Sequence, residues 1–303
     1  MVVKRPSLRV ERSLAGPTCR LVAGIDEVGR GALAGPVAAG VVVIDAHTQR
    51  ALTGVADSKL LTHERRVELV PRIHRWAVGS AVGMASAAEV DAVGLTHALR
   101  LAGLRALRRL ADAGIVPDLV LMDGNYNWLR RPEPTLLDAL LPDDEPDDRA
   151  AVPPRPHGST AVAAADPTVL TRIKADLTCT SVAAASVIAK VERDLLMIEA
   201  AERYPDFGWE INKGYATPSH RAAIDAVGPS DLHRRTWRLG SLPGESAGPA
   251  DAEPVDADAG ADAVDMRPGA SVGRPARTDR PVADDADAPA AALFAAACGK
   301  MEP

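Results

Sequence analysis

Four acidic side chains close apolar runs of this 303-residue chain: Asp26 and Glu27 after the run that starts at Leu21, Asp123 after Leu119-Val-Leu-Met122, and Asp176 just beyond residues 168–174. Acids at the ends of neighbouring strands can converge on one point. A cluster of that kind repels itself unless cations neutralise it. Hard divalent ions take oxygen ligands, and Mg²⁺ or Mn²⁺ suits an all-carboxylate site completed by water. No His/Cys set lies near these acids to suggest zinc. Neighbouring residues on a regular strand point to opposite faces. Asp26 and Glu27 therefore share one site only if the chain twists or ends there, and Gly29 and Gly31 allow such a departure. A single acid is most often an exposed loop carboxylate; four that each close an apolar run weigh against that. The glycines of Gly24-Ile-Asp-Glu-Val-Gly-Arg-Gly31 do not form a dinucleotide fingerprint, because Ala34 stands where the third glycine belongs and Pro36 and a strand follow instead of a helix.

The elements that must carry these acids read as an α/β pattern. Residues 21–27 and 37–44 are strands joined by a glycine-rich, hairpin-like connection. Residues 62–76 have helical spacing and 78–85 suit a strand of small residues. Ser86-Ala-Ala-Glu89 is a capping box opening a short helix. Residues 96–113 form an amphipathic helix with a basic side. A short strand over 119–122 leads to Asp123, and a strand over 168–174 leads to Asp176. Residues 180–203 form a long helix whose Ala183, Ala184, Ala185 and Ala189 permit close packing. Thr217 caps a last helix with Pro218 at its first position.

Charge and composition divide the chain. Residues 241–303 carry 5 Lys+Arg against 12 Asp+Glu, a net of −7, so the formal net charge of −6 leaves the body at +1 and open to an anionic partner. Ala, Pro, Asp and Gly fill 41 of those 63 residues, too little apolar surface to offset the entropy of ordering, and a disordered acidic tail is expected. Residues 1–18 are expected to be flexible, residues 132–165, rich in Pro, Asp and Ala, a mobile insertion, and 19–240 the catalytic domain. Three widely spaced cysteines, Cys19, Cys179 and Cys298, offer neither a disulfide framework nor a CxxC site. No run reaches the roughly 20 apolar residues of a membrane span, and Arg5, Arg9, Glu11 and Arg12 interrupt any signal-peptide core. A cytoplasmic monomer with no membrane contact is expected.

The segment Gly24-Ile-Asp-Glu-Val-Gly-Arg-Gly-Ala-Leu-Ala-Gly-Pro-Val37 resembles the opening signature of bacterial ribonuclease HII, a type 2 ribonuclease H. Further blocks follow in the family's order: Asp57-Ser-Lys59, Met122-Asp-Gly-Asn125, Lys174-Ala-Asp176, Ala184-Ala-Ser-Val-Ile-Ala-Lys190, Lys213-Gly-Tyr-Ala-Thr217 with His220, and Gly228-Pro-Ser230 with His233-Arg-Arg235. The resemblance implies a ribonuclease H-like mixed five-stranded sheet flanked by helices, with a small helical C-terminal region. It implies hydrolysis of the RNA strand of RNA–DNA hybrids and incision on the 5′ side of single ribonucleotides embedded in duplex DNA, leaving 3′-hydroxyl and 5′-phosphate ends, in the setting of DNA replication and ribonucleotide excision repair.

By the same resemblance, Asp26, Glu27, Asp123 and Asp176 are the catalytic, metal-binding acids for two divalent ions, Mn²⁺ or Mg²⁺. Gly29, Arg30 and Gly31 are the substrate-reading segment, and Tyr215 stacks on the junction sugar. Lys59, Lys174, Lys190 and Lys213 are candidate phosphate contacts. The sequence departs from the family in having Leu60 where a second lysine is common and Ala175 where glycine is common. The alternatives are a ribonuclease H confined to long hybrids and a hybrid-binding protein without catalysis.

Overall fold

The computed structural model describes residues 5–16, 19–130 and 168–240. The expected insertion over 132–165 and tail over 241–303 lie outside the described residues. The described residues form one five-stranded sheet with helices on both faces.

β1 (Leu21–Val28) runs antiparallel to β2 (Val37–Asp45), which runs antiparallel to β3 (Gly79–Ala85). On its other edge β1 runs parallel to β4 (Leu119–Asp123), and β4 parallel to β5 (Val169–Arg172), giving the order β3-β2-β1-β4-β5. This is the mixed sheet implied by the sequence. Buried β-branched runs such as Val41-Val-Val-Ile44, covered on both faces, suit its central strands.

One face packs on α3 (Ala87–Asp112), with Ala23, Ile25, Val41, Leu99, Leu104, Met122, Trp128 and Leu129 in a common core. The capping box is formed: Ser86 accepts from the Glu89 backbone N–H, and the Glu89 carboxylate accepts from that of Ser86. Gly94, at φ 79°, interrupts the helical path, so the two helices expected from the sequence are joined end to end at that residue. The opposite face packs on α5 (Thr180–Arg203), whose run of alanines comes close to the sheet. A Cβ on Gly24 would lie 2.3 Å from the Ser181 carbonyl carbon, and one on Gly40 2.3 Å from the Ala185 carbonyl oxygen. Backbone contacts at that distance require glycine in the strands.

α2 (His63–Trp76) lies beside α5 and is capped by the Thr62 hydroxyl. The C-terminal part holds α6 (Trp209–Asn212) and α7 (Pro218–Val227), packed round Phe207, Trp209, Met197 and Ile224.

Residues 5–16 lie in the segment expected to be flexible. They contain α1 (Arg9–Leu14), which places the buried Glu11 carboxylate on the first turn of α5. Glu11 accepts from the Ser181 N–H at 3.0 Å and its hydroxyl at 2.9 Å. A carboxylate at a helix N-terminus takes up orphan N–H groups, a long-range effect with no local periodicity.

Candidate active site at the carboxyl ends of β1 and β4

Asp26 and Asp123 each follow a directly paired residue: Ile25 and Met122 are partners across the parallel β1–β4 ladder. The two carboxylates therefore lie side by side, on strands about 4.8 Å apart. Ile25 and Met122 belong to the core under α3, so alternation turns Asp26 and Asp123 to the α5 face. Asp26 is paired with Gly40, which faces α5 closely.

Glu27 takes the other direction. The expectation that β1 ends at this pair is corrected: β1 continues to Val28, both residues are within the ladder, and Glu27 points to the α3 side. There its carboxylate accepts from Arg30 Nη1 at 3.0 Å and Trp128 Nε1 at 3.3 Å. Trp128 was not singled out in the sequence, and its indole fixes the side chain of Glu27.

Asp176 arrives from across the sheet. The strand expected over 168–174 stops at Arg172. Lys174 turns into the left-handed region at φ 58°, and Asp176 falls in the first turn of the short α4 (Ala175–Thr178). The Ala175 N–H donates to Asp123 Oδ1 at 2.6 Å, tying α4 to β4. Ala in place of glycine is accommodated because the positive φ belongs to Lys174.

The electrostatics record the convergence. Burial pushes the Asp26 carboxyl well above the usual carboxylate range, and Glu27, Asp123 and Asp176 push it further, against the opposing charge of Lys59. Asp176 is pushed up to about 7, by burial first and then by Asp123 and Asp57. Asp57 is a fifth acid, buried, that caps the turn Ser58–Leu60 by accepting from the Lys59 N–H at 3.0 Å. The donors are carboxylates, which in chemical type fit a hard divalent cation. Among the described residues, no three His, Cys, Asp or Glu side chains are drawn close enough together to hold a metal ion as they stand.

Lys59 and Lys174 are exposed at the rim of this cluster. Lys190 and Lys213 differ from the surface positions expected of phosphate contacts. Lys190 is buried, its Nζ 3.0 Å from Asp194 Oδ1 and 5.4 Å from the Tyr215 ring centroid. Lys213 is buried, in the left-handed region at φ 51°, and donates to the Glu210 and Ile211 carbonyls. Tyr215 is 3% exposed and forms an isolated bridge with Ala32.

The loop between β1 and β2 carries Gly29, Arg30 and Gly31, and two arginines shape it from inside. Arg234 donates to the carbonyls of Gly29 at 2.6 Å, Arg30 at 2.9 Å and Gly35 at 3.2 Å. Arg193 donates to Ala34 and Pro36. Buried arginines bonded to carbonyls leave no spacing pattern in the sequence, so neither role is legible there.

The ribonuclease HII family profile matches residues 23–139 and 149–239. The chain is 42% identical over 248 residues to a ribonuclease HII of Streptomyces griseus, covering 80% of this chain and 89% of that one, and 39% identical over 245 residues to that of Streptomyces avermitilis, covering 80% and 88%. It is also similar to the crystal structure of the ribonuclease H2 from Pyrococcus horikoshii, at 27% identity and a TM-score of 0.49, over 72% of this chain and 94% of that one. No helix among the described residues is long and apolar enough to cross a membrane. With the family signature spread over the strands and loops that bring its acids to one end of the sheet, the chain belongs to the ribonuclease HII family and is a ribonuclease H.

Proposed function

We propose that this protein hydrolyses the RNA strand of RNA–DNA hybrids and incises duplex DNA on the 5′ side of a single embedded ribonucleotide, leaving 3′-hydroxyl and 5′-phosphate ends. The observation that carries this is the side-by-side placement of Asp26 and Asp123 on one face of the sheet, with Asp176 in electrostatic reach of both.

Asp26, Asp123 and Asp176 would hold divalent cations, Mn²⁺ or Mg²⁺; Glu27, on the opposite face of β1 against Arg30 and Trp128, would act on them through its charge beside Asp26. When bound, a pair of such ions supplies charge neutralisation at the scissile phosphate and acidifies a water molecule. The chain's own residues bind and orient. Exposed Lys59 and Lys174 attract the phosphates on either side of the acids. Gly29 to Gly31 present backbone to the sugar, where a 2′-hydroxyl distinguishes RNA from DNA. By the family resemblance Tyr215 would meet the next sugar; the residue is 3% exposed here, so that contact would be made by its ring edge, with Lys190 and Lys213 supporting its segment from inside rather than reaching the backbone.

The deciding experiment is cleavage of a duplex with one ribonucleotide, beside a continuous hybrid, with Mn²⁺ or Mg²⁺ omitted and restored. Cation-dependent cutting 5′ of the ribonucleotide is expected. Cutting of the continuous hybrid alone establishes a hybrid-only ribonuclease H, and binding without cutting removes the catalytic assignment.

A further inference from the structure

Arg193 has no exposed surface, and each guanidinium nitrogen has a backbone acceptor. Nε donates to the Pro36 carbonyl at 2.9 Å, Nη2 to Ala34 at 3.1 Å and Nη1 to Lys213 at 3.0 Å. Two acceptors belong to the loop that carries Gly29 to Gly31. The third lies two residues before Tyr215. The guanidinium carbon is 5.2 Å from the Tyr215 ring centroid. Gly29 sits directly on the same group: at φ 85°, a Cβ there would be 2.2 Å from Arg193 Nε. One planar, rigid fork from α5 thus fills the gap between the two segments and bonds both.

A buried cation answered by neutral carbonyls is costly to maintain, and Lys, whose three N–H donors share one nitrogen, does not reproduce the spread of the planar fork. Arg234 differs, because its carbonyl acceptors all lie in residues 29–35. It shapes the loop without reaching the tyrosine segment through these bonds.

We propose that Arg193 is a specificity-determining positioning residue that sets the spacing between the Gly29–Gly31 segment and Tyr215, and thereby the preference for an embedded ribonucleotide over a continuous hybrid. This rests on the proposed reading of the sugar by those two segments. A continuous hybrid offers a ribose at every step and tolerates a shift in spacing. A lone ribonucleotide followed by deoxyribose must meet both segments in register.

The test compares wild-type protein with Arg193→Lys and Arg193→Gln, recording kcat/KM on both substrates together with the thermal midpoint. The expected result is a fall of about tenfold or more in the ratio of embedded-ribonucleotide to hybrid cleavage, since misplacement by about 1 Å can cost a hundredfold. A merely structural role shifts the midpoint and both rates together and leaves the ratio in place, which overturns the inference. If the Arg193 variants do not fold, Gly214→Ala opens the same gap from the other side, because its Cβ would lie 2.5 Å from the Ala34 carbonyl oxygen. An unchanged ratio in that variant is equally fatal. Wild-type protein that cuts hybrid but never the lone ribonucleotide overturns the underlying reading of the sugar and the inference with it, an outcome distinct from failure in the variants alone.

Discussion

Asp26 and Asp123 stand one step beyond the paired residues Ile25 and Met122, on adjacent parallel strands and on the same face of the sheet. Their alignment is a property of the register. It links strands almost a hundred residues apart in the chain, and any change that moves β1 against β4 or α5 moves the chemistry.

Asp123→Asn removes charge at constant size. The amide oxygen can still accept from the Ala175 N–H that ties α4 to β4. Hybrid binding is expected to persist while kcat falls by at least about a hundredfold, the upper range for disturbing even an outer-shell metal partner. Binding by fluorescence anisotropy and single-turnover cleavage separate the two; a variant of undiminished kcat contradicts the site.

Gly24→Ala tests the seating of β1 on α5. The new methyl meets Ser181 and Val182 backbone, which has no free end to swing away. A loss of about 1–3 kcal/mol is expected from overpacking, with reduced cleavage because Asp26 lies two residues on along the same face. Denaturant unfolding measures the first effect; unaltered stability shows that the close approach is softer than described.

The Lys190–Asp194 pair distinguishes support from substrate contact. Removing one partner leaves a buried charge, and Lys190→Met is expected to cost about 3–5 kcal/mol. Replacing both, in Lys190→Met with Asp194→Leu, should recover most of that loss. If Lys190 instead touched phosphate, the refolded double variant would bind hybrid more weakly, with a salt slope reduced by about one contact.

His220 and His233 are expected to stay neutral well into acid. Burial pushes each down to about 4 from the ordinary 6.5, helped by Arg221 for His220 and, for His233, by His220 3.1 Å away and then by Arg235. The indole N–H of Trp209 donates to His220 Nε2 at 3.0 Å, leaving Nδ1–H for the Tyr215 carbonyl at 2.8 Å. Between about 6.5 and 4 the unfolded chain binds protons that the folded one does not, so this pair's contribution is complete above 6.5 and is lost as pH falls through that window. Histidine titration by NMR checks it directly. Either ring charging near 6.5 in the folded protein refutes the neutral pair, and His220→Gln should flatten the acid side of the stability curve.

The sequence by itself determined the alternating strand and helix pattern, the caps at Ser86 and Thr217, and the four acids at the ends of apolar runs, because periodicity, turn chemistry and motif spacing are local. It also carried the family signature. Only the tertiary structure decided which way each acid points: strand continuation to Val28 sends Glu27 to the α3 side, against Arg30 and Trp128, while Asp26 shares the α5 face with Asp123. Only the fold turned Lys190 and Lys213 inward, brought Asp57 beside Asp176, and set Arg193 and Arg234 behind the glycine loop. These contacts join segments up to about two hundred residues apart, and a buried guanidinium finds its carbonyls only after the sheet and α5 have packed, a long-range event that no spacing within the chain encodes.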